Sequence, residues 1–365
     1  MFFKEIELTD FRNYEYEKVS FHRFVNVFTG RNAQGKTNLM ESLYIMSLGK
    51  SFRAVKDADM IRFGAAIGRA KALIEKDDRD MEIEIGLVKG GKSIRIDGVS
   101  RKKTSDLLEQ VYVVMFSPED LRIIKDEPAR RRRFIDRELC KIRPVYYSSL
   151  LRYRKTLQQR NTLLKEGVIN EEILNVWDEE LAEYGSRLVL ERKRFIEQLS
   201  SVSRSIYEGL TVNSESLSAA YEADIAPAET LREQKERFTD VLIKNRKNDL
   251  LRRSTGRGPH HDDIRLDIDG VPVRQFGSQG QQRSAALSLK LAEIEIIRKE
   301  TGQDPVLLLD DVLSELDETR QKQLINLFRD TQIFITATAL DDRLRAQIPE
   351  HALFEVSSGH VERVY

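Results

Sequence analysis

One segment of the sequence has the residue types and the spacing of a phosphate-binding loop. Residues 30–37 read Gly-Arg-Asn-Ala-Gln-Gly-Lys-Thr, which is the pattern G-x-x-x-x-G-K-[ST]. Backbone N–H groups of such a loop, together with the positive end of the following helix dipole, hold phosphate oxygens. In this pattern Lys36 reaches the β- and γ-phosphates and the hydroxyl of Thr37 binds Mg²⁺. The segment therefore predicts a site for a nucleoside triphosphate.

The flanking residues predict a strand before the loop and a helix after it, which is the context that the motif requires. Residues 24–29 read Phe-Val-Asn-Val-Phe-Thr, and residues 38–43 read Asn-Leu-Met-Glu-Ser-Leu. We expect the nucleotide to be bound by the loop and the first helical residue after it, namely Gly30, Arg31, Asn32, Ala33, Gln34, Gly35, Lys36, Thr37 and Asn38.

A second segment places two carboxylates at the end of an apolar strand. Residues 306–309 are Val-Leu-Leu-Leu, and Asp310 and Asp311 follow them directly. Phosphate-loop enzymes hold Mg²⁺ with an acid at the carboxyl end of a buried strand. We expect Asp310 to lie on the metal side with Thr37, and Asp311 to orient the attacking water as a base. The candidate catalytic residues in these two segments are Lys36, Asp310 and Asp311.

Composition excludes several classes of protein. The chain has 365 residues, of which 40% are hydrophobic, so about two to three domains with sizeable cores are expected. Its apolar runs are far shorter than the roughly 20 residues of a membrane span, and residues 1–5 lack the layout of a secretory signal. The single cysteine, Cys140, allows no internal disulfide. We expect a soluble, cytoplasmic protein with no membrane partner.

Basic residues are concentrated in one part of a chain whose 60 basic and 60 acidic residues cancel overall. Between residues 122 and 160 there are thirteen Lys and Arg against four Asp and Glu. Such a surface could neutralise DNA phosphates without reading sequence. The alternative is a solvated helix face that pairs with nearby acids such as Asp136 and Glu138. The candidate DNA-binding residues are Arg130, Arg131, Arg132 and Arg133.

Periodicity divides the chain into an α/β part and a helical part. Alternating apolar residues at 3–28 and 80–97, with turns at 12–14 and 89–92, predict antiparallel strands. Residues 281–336 predict alternating helix and strand: helices at 281–298 and 318–328, strands at 306–309 and 332–336. The region 128–248 is rich in charge and predicts long helices. We therefore predict an α/β head, residues 1–127 and 249–365, interrupted by an inserted helical subdomain, residues 128–248.

Apolar residues inside the helical region follow a heptad-like spacing, with one position skipped near Glu191 and Arg192. Two arrangements fit this pattern: a compact helical subdomain, or a coiled-coil arm that projects from the head. The stripe consists of Trp177, Leu181, Tyr184, Leu188, Phe195, Leu199, Val202 and Ile206.

A Ser/Gly/Gln cluster at residues 276–283, Phe-Gly-Ser-Gln-Gly-Gln-Gln-Arg, opens the helix before the acid-bearing strand. By itself this cluster is typical of a helix N-cap. Its order with the phosphate loop, the acids and the loop Ser-Glu-Leu-Asp at 314–317 resembles the ABC-type ATPase heads among P-loop NTPases. The resemblance implies that Ser278, Gln279 and Gly280 of one subunit contact the nucleotide of another, with Ser278 catalytic at the γ-phosphate.

Further motifs resemble the RecF family, an SMC-like group of these heads, over essentially the whole chain. They are Leu-Thr-Asp-Phe-Arg-Asn-Tyr at 8–14, Phe-Ser-Pro-Glu-Asp at 116–120, Arg-Arg-Arg-Phe-Ile-Asp at 131–136, and Gly-Pro-His at 258–260. The resemblance implies a weak, DNA-stimulated ATPase that uses ATP and Mg²⁺ and forms an ATP-dependent homodimer. It also implies binding to junctions of single- and double-stranded DNA at gaps, and work with RecO and RecR to load RecA.

Some residues depart from the family pattern. His261 stands where the family usually has Arg, so the role of that arginine is open here. We find no glutamine equivalent to the one that senses the γ-phosphate in transporters, and Glu119 or Asp120 could take its place. Residues 333–338 carry threonines where transport heads have a histidine, which argues against a transporter subunit.

Three functions are compared: a DNA-repair ATPase switch, a transporter energy subunit, and a structural DNA clamp that binds ATP without turnover. A metal site is a further alternative at His260, His261, Asp262 and Asp263. Adjacent loop residues seldom converge on one metal, so a structural or DNA-proximal role is favoured for them.

Overall fold

The computed structural model describes residues 1–166, 171–211, 215–313, 321, 331–339 and 350–365. The Ser-Glu-Leu-Asp loop at 314–317 and, apart from residue 321, the predicted helix at 318–328 lie outside these residues. The chain divides into two compact units, residues 1–120 with 297–365, and residues 121–296. The second unit is larger than the predicted insertion at 128–248, because a strand at 263–268 pairs with one at 217–222, inside the region predicted to be helical.

Strands and helices are numbered in chain order. The strands are β1 (Phe2–Phe11), β2 (Tyr14–Ser20), β3 (Val25–Thr29), β4 (Ile67–Lys76), β5 (Arg79–Val88), β6 (Gly91–Ile96), β7 (Val99–Arg101), β8 (Val113–Phe116), β9 (Leu217–Glu222), β10 (Asp263–Ile268), β11 (Val271–Pro272), β12 (Val306–Asp310), β13 (Ile333–Ala337), β14 (His351–Ser357) and β15 (His360–Arg363). The α-helices are α1 (Lys36–Leu48), α2 (Arg122–Lys125), α3 (Pro128–Ile142), α4 (Pro144–Glu166), α5 (Glu171–Leu210), α6 (Leu231–Arg252), α7 (Val273–Phe276) and α8 (Gln279–Thr301).

The first unit contains an antiparallel sheet in the order β2-β1-β4-β5-β6-β7. The predicted turn at 12–14 joins β1 to β2, with Phe11 opposite Tyr14. The predicted hairpin at 80–97 is β5 and β6, and its apolar residues pair across the strands, Ile83 with Ile96 and Ile85 with Ile94. Both sequence-based predictions are confirmed, because alternation of apolar side chains places one face of each strand in the core.

A second sheet in the first unit has the order β15-β14-β3-β13-β12-β8. Strands β14, β3, β13, β12 and β8 run parallel to their neighbours, while β15 is antiparallel. The predicted strands before the loop and before the two acids are β3 and β12, separated only by β13. Since parallel strands end at one edge of a sheet, this order brings the phosphate loop and the acids to the same edge.

Helix α1 lies in the core of the first unit. It contacts β4 and β5 of one sheet and β8, β12 and β13 of the other. Its residues Leu39, Met40, Leu43 and Tyr44 are all buried. A helix that is apolar on several sides is stable only inside a core. Because α1 begins at Lys36, this packing fixes the position of the phosphate loop.

The second unit is built on α5, a helix of 40 residues that packs against α4, α6 and β9. This is the compact arrangement of the two that the heptad-like spacing allows. Leu181, Leu188, Phe195 and Leu199 of the predicted stripe are buried, as expected. The skipped position holds Arg192, which is also buried.

Buried ion pairs connect the helices of the second unit. Arg160 of α4 donates to Asp178 of α5 at 2.6 Å and to Asp249 of α6 at 2.7 Å. Arg192 of α5 donates to Asp136 of α3 at 2.7 Å and to Asp262 at 2.8 Å. Each buried guanidinium therefore has two carboxylate partners, as a charge removed from water requires.

A further buried cluster joins α3 to α8. Lys141 pairs with Glu138 at 2.6 Å, and Lys290 pairs with Glu293 at 2.6 Å. Burial, together with the negative charge of Glu138, raises the pKa of Glu293 above its usual value. Among the described residues, none of the helices has the length and the apolar character needed to cross a membrane.

Candidate nucleotide site

The phosphate loop has a backbone conformation that only glycine adopts readily at two positions. Gly30 has φ of 148° and Gly35 has φ of 128°. A Cβ at Gly30 would lie 2.3 Å from the carbonyl oxygen of Val356, and one at Gly35 would lie 2.8 Å from the hydroxyl of Tyr14. Both glycines of the motif are therefore required by the fold itself. Residues 31–33 between them are exposed, which leaves their N–H groups open to a ligand.

Lys36 is buried, with 4% of its surface exposed, and lies at the start of α1. Its ammonium group donates to the carbonyl oxygens of Gly30, at 2.7 Å, and Arg31, at 3.1 Å. Among the described residues, no carboxylate lies within ion-pair distance of it. Carbonyl dipoles hold the ammonium in place but leave its full positive charge for an anion. This is the environment expected of a residue that binds phosphate.

Three side chains of this site meet at the shared edge of the sheet. The hydroxyl of Thr37 donates to Asp310 Oδ1 at 3.1 Å, and the hydroxyl of Thr336, in β13, donates to the same oxygen at 2.7 Å. The backbone N–H of Asp311 donates to the Thr336 hydroxyl at 2.9 Å. Asp311 has a left-handed backbone, with φ of 54°, which turns the chain sharply after β12. The structure thus brings the predicted residues Lys36, Thr37, Asp310 and Asp311 to one edge.

The pair of Thr37 and Asp310 fits a magnesium ion. The two side chains offer a hydroxyl and a carboxylate oxygen only 3.1 Å apart, and Mg²⁺ prefers such hard oxygen ligands, usually with one or two from the protein. Burial raises the pKa of Asp310, and the hydrogen bonds from Thr336 and Thr37 offset this only in part. A divalent cation beside Asp310 would favour its charged form, so the site is suited to binding one.

Neighbouring turns hold the phosphate loop from both sides. Asn13, in the turn between β1 and β2, donates to the carbonyl of Gln34 at 2.8 Å, and the hydroxyl of Tyr14 donates to that of Gly35 at 3.0 Å. In the turn between β14 and β15, the N–H of Ser358 donates to the Gln34 side chain at 2.7 Å. The N–H of Gly359 donates to the Gln34 carbonyl at 3.0 Å. The loop is therefore preorganised by bonds to residues distant in sequence.

Glu41 of α1 organises two arginines next to the loop. Its carboxylate is fully buried and accepts from Arg12 at 2.7 and 2.8 Å, from Arg53 at 2.8 Å, and from Ser51. Burial alone would raise the pKa of Glu41, but the hydrogen bonds from Arg12, Arg53 and Ser51 outweigh it and hold the pKa below its usual value. Arg53 in turn donates to Asn38, the helical residue after the loop. No role for Arg12, Glu41 or Arg53 follows from the sequence motifs.

The signature residues lie in the second unit and begin α8. Ser278 Oγ accepts from the N–H of Gln281 at 3.2 Å, and the Gln281 side chain accepts from the N–H of Ser278 at 2.8 Å. This reciprocal pair is a capping box. Ser278, Gln279 and Gly280 are all exposed. The serine therefore serves as the N-cap that its sequence suggested, and the helix N-terminus is open to a ligand.

The two acids considered in place of a sensing glutamine follow β8, which neighbours β12 in the parallel sheet. Asp120 accepts from the N–H of Ser117 at 2.7 Å, so its carboxylate caps its own turn. Glu119 is exposed. A role in sensing phosphate stays a prediction, and Glu119 is the more accessible of the two.

Most arginines of the predicted DNA-binding run, residues 130–133, form hydrogen bonds or ion pairs within the chain. Arg131 is 4% exposed and donates to both carboxylate oxygens of Asp263, at 2.6 and 2.8 Å. Arg132 donates to the carbonyl of Asp262 at 2.7 Å. Arg130 lies one turn from Asp126 and pairs with it at 3.5 Å. Arg131 is therefore unsuitable for DNA contact, since α3 packs its guanidinium against β10, and only Arg133 of the run is exposed.

The His-His-Asp-Asp segment has structural partners. His260 Nε2 donates to the carbonyl of Thr255 at 3.1 Å, and its Nδ1 accepts from the hydroxyl of Tyr153 at 2.6 Å. Burial lowers the pKa of His260 to about 4. Asp262 accepts from Arg192, and Asp263 from Arg131, as described above. Within the described part of the chain, no group of three or more His, Cys, Asp or Glu side chains is arranged to bind a metal. His261, where the family usually has arginine, is exposed.

Comparison with known proteins identifies the family. The family described as RecF/RecN/SMC N terminal domain matches residues 2–358. The DNA replication and repair protein RecF of Clostridium novyi (strain NT) is 44% identical over 365 residues, which is 100% of both chains. This chain belongs to the RecF family. RecF of Agathobacter rectalis is 43% identical over 366 residues and 99% of each chain.

Solved structures agree with this RecF assignment. The recombination mediator protein RecF-ATPrS in the RecFOR pathway superimposes with a TM-score of 0.93 at 37% identity, covering 100% of this chain and 98% of that one. A RecF-ATP structure from the same pathway has a TM-score of 0.93 at 36% identity. The SMC head bound to the C-winged helix domain of ScpA has a TM-score of 0.56 at 16% identity, which shows the fold alone. The predicted class, an α/β ABC-type ATPase head, is confirmed.

Proposed function

We propose that this RecF-family chain is an ATP-dependent DNA-binding protein of recombinational repair and replication. The observation that carries the proposal is the meeting of Lys36, Thr37, Asp310 and Asp311 at one edge of the parallel sheet. Relatives that span the whole chain are named DNA replication and repair protein RecF, and a similar solved RecF is described with bound ATP. These two observations together support ATP use in DNA repair.

The residues of the first unit have distinct proposed roles. Loop N–H groups from Gly30 to Asn38 bind the phosphates of ATP, and Lys36 neutralises the charge on the β- and γ-phosphates. Thr37 and Asp310 hold Mg²⁺, and Asp311 orients a water molecule and accepts its proton. When bound, ATP with Mg²⁺ supplies an activated γ-phosphoryl group for hydrolysis.

A second copy of the chain completes the proposed site. The signature residues Ser278, Gln279 and Gly280 are exposed at the N-terminus of α8, where N–H groups and the helix dipole attract an anion. In ABC-type heads this motif contacts the nucleotide of the partner subunit. ATP therefore joins two copies, and slow hydrolysis lets them separate. This mechanism makes ATP a switch for dimerisation.

The proposed DNA substrate is a junction of single- and double-stranded DNA at a gap, where the ATP-bound dimer helps RecO and RecR to load RecA. Support for these partners comes from the RecFOR pathway in which the similar RecF structures are described. Function at such junctions implies a cytoplasmic location in a bacterial cell. A transporter energy subunit is less favoured, because relatives that span the whole chain are named for DNA repair.

The proposal is tested by measuring ATP hydrolysis with single-stranded, duplex and gapped DNA side by side. We expect hydrolysis slower than the ~10 s⁻¹ typical of enzymes, with the largest stimulation by gapped DNA. An Asp311→Asn variant should bind ATP and dimerise but fail to hydrolyse. If none of the three DNAs changes the rate and none is bound, the proposed function is wrong. If Asp311→Asn supports repair in cells, the chain acts as a clamp that needs no turnover.

A further inference from the structure

A long segment of the second unit contains basic residues and no acidic ones. Residues 139–165 include seven Lys and Arg and no Asp or Glu, in a chain with 60 acidic residues overall. Most of this segment is α4. The question is which of these seven charges the fold itself uses.

The structure separates the basic residues of this segment into two groups. Lys141 and Arg160 are buried and paired with Glu138 and with Asp178 and Asp249. Arg154 pairs with Asp136 at 2.9 Å, and Arg143 lies 4.0 Å from Glu191. These four are engaged by the fold.

The second group consists of Arg152, Lys155 and Lys165. All three are exposed, and none forms an ion pair or side-chain hydrogen bond with the described residues. They project from the side of α4 opposite to Tyr153 and Leu164, which pack in the core. Their charges are therefore not required by the fold.

Between Arg152 and Lys165 the exposed residues of α4 are all polar, and the Thr162 hydroxyl among them donates to the carbonyl of Gln158 at 3.0 Å. We define the α4 crest as six of these exposed residues: Arg152, Lys155, Gln158, Gln159, Thr162 and Lys165. They extend over about 20 Å at 1.5 Å per residue, the length of roughly six base pairs of B-DNA. Residues 152–165 contain no Asp or Glu, and the acids nearest in sequence, Glu138 and Glu166, lie beyond the ends of the crest. From the neighbouring helix α5, Glu180 accepts from Thr156 of α4 at 2.9 Å.

We infer that the α4 crest is a contact surface for the sugar-phosphate backbone of DNA. Ammonium, guanidinium, amide and hydroxyl groups are the side-chain donors that contact phosphate and sugar oxygens in protein–DNA complexes. The helix lays them out along a line, so the crest fits a polyanion whose charges are also spaced along a line. The inference rests on the proposed DNA-binding function, and it replaces the buried part of the arginine run as the site of contact.

The test compares the α4 crest with an equally charged surface elsewhere in the same unit. The crest variant is Arg152→Gln with Lys155→Gln and Lys165→Gln. The control is Lys244→Gln with Lys247→Gln and Arg252→Gln, three exposed residues of α6. Binding of gapped DNA is measured with ATP by fluorescence anisotropy between 50 and 200 mM salt. Circular dichroism and ATP binding establish that both variants are folded.

We expect the crest variant to bind gapped DNA on the order of 100-fold more weakly near physiological salt, and its slope of log affinity against log salt to fall by about 2.7, or 0.9 per contact. The α6 control should retain most of the parent affinity. An unchanged slope in the crest variant, or an equal loss in both variants, overturns the inference. If the crest variant keeps its DNA affinity but loses binding to purified RecO or RecR, the crest contacts a protein instead and the inference is overturned.

Failure of this inference can be told apart from failure of the proposed function. If the parent chain and the crest variant bind gapped DNA equally well, the proposed function is retained and only the role of the α4 crest in DNA binding is overturned. A parent chain that binds no DNA in the presence of ATP overturns both.

Discussion

Buried positive charges have different kinds of partner in the two units of this chain. In the first unit, Lys36 is held by two backbone carbonyls, with no carboxylate within ion-pair distance among the described residues. In the second unit, Arg160 and Arg192 each have two carboxylate partners. A charge that the fold neutralises is structural, whereas a charge that the fold positions but leaves uncompensated is available to a ligand.

The same distinction separates basic residues that look alike in the sequence. The guanidinium of Arg131 donates along one edge to both carboxylate oxygens of Asp263 and through Nη1 to the carbonyl of Asp126, so it serves the fold. Arg152 and Lys155, about twenty residues later, are exposed without such a partner among the described residues. A high local density of basic residues therefore indicates a nucleic-acid-binding surface only if those residues are exposed and do not form ion pairs within the protein.

The largest expected effect comes from removing a charge that the fold has neutralised. Replacing Arg192 by Met leaves Asp136 and Asp262 buried without their shared partner, which should lower the free energy of unfolding by about 3 to 5 kcal/mol. Urea unfolding monitored by circular dichroism measures this. The matched control is Arg194→Met on the same helix, whose side chain is 71% exposed and, among the described residues, forms its ion pair with Glu191. It should cost less than about 0.5 kcal/mol. If both variants lowered the free energy of unfolding by the same amount, the claim that the buried charges of the second unit are structural would be contradicted.

A smaller effect is expected from pH through His260. Burial lowers the pKa of His260 to about 4, so the folded state favours the neutral ring. Its contribution to stability is present above the ordinary pKa of 6.5 and is lost as the pH falls towards 4, amounting to about 2 to 3 kcal/mol. The melting temperature of His260→Gln should therefore fall less than that of the parent chain between pH 7 and pH 4.5. His261→Gln, at an exposed neighbour, should follow the parent, and a parallel profile for His260→Gln would contradict the assignment.

The smallest effect tests Glu41, a buried charge in the first unit that positions residues next to the phosphate loop. Glu41→Gln keeps the size of the side chain but loses the charge that holds Arg12 and Arg53. We expect ATP to bind about tenfold more weakly, which is about 1.4 kcal/mol, because Arg53 holds Asn38 beside the loop. Calorimetric titration of ATP measures this. Ser47→Ala, at the other end of α1, serves as the control and should bind ATP as the parent does.

The parts of the fold and site that could be predicted from the sequence are those encoded locally. The phosphate loop, the hairpin of β5 and β6, and Asp310 at the end of β12 each follow from a short pattern of residue types. The parallel order of β3, β13 and β12 then brings the loop and Asp310 together. Local residue patterns could therefore anticipate the elements of this part of the molecule, while the order of the strands is seen only in the structure.

The parts that escaped prediction depend on partners far away in sequence. Arg192 occupies a skipped position in the apolar stripe of α5, and its partners Asp136 and Asp262 are 56 and 70 residues away. Strand β9 was missed inside a helical region because it exists only by pairing with β10. Glu41 is the one charged residue in α1, apart from Lys36 of the motif, and that isolation in an apolar helix is a signal of buried ionic partners.

Sedimentation velocity with Mg-ATP tests most directly whether ATP bound at Lys36 joins two copies of the chain. The parent chain and the variants Lys36→Ala and Asp311→Asn are compared, each with and without nucleotide. We predict dimers with ATP for the parent and, more persistently, for Asp311→Asn, and only monomers for Lys36→Ala. A parent chain that remains monomeric with ATP, or a Lys36→Ala variant that behaves as the parent does, would contradict the account.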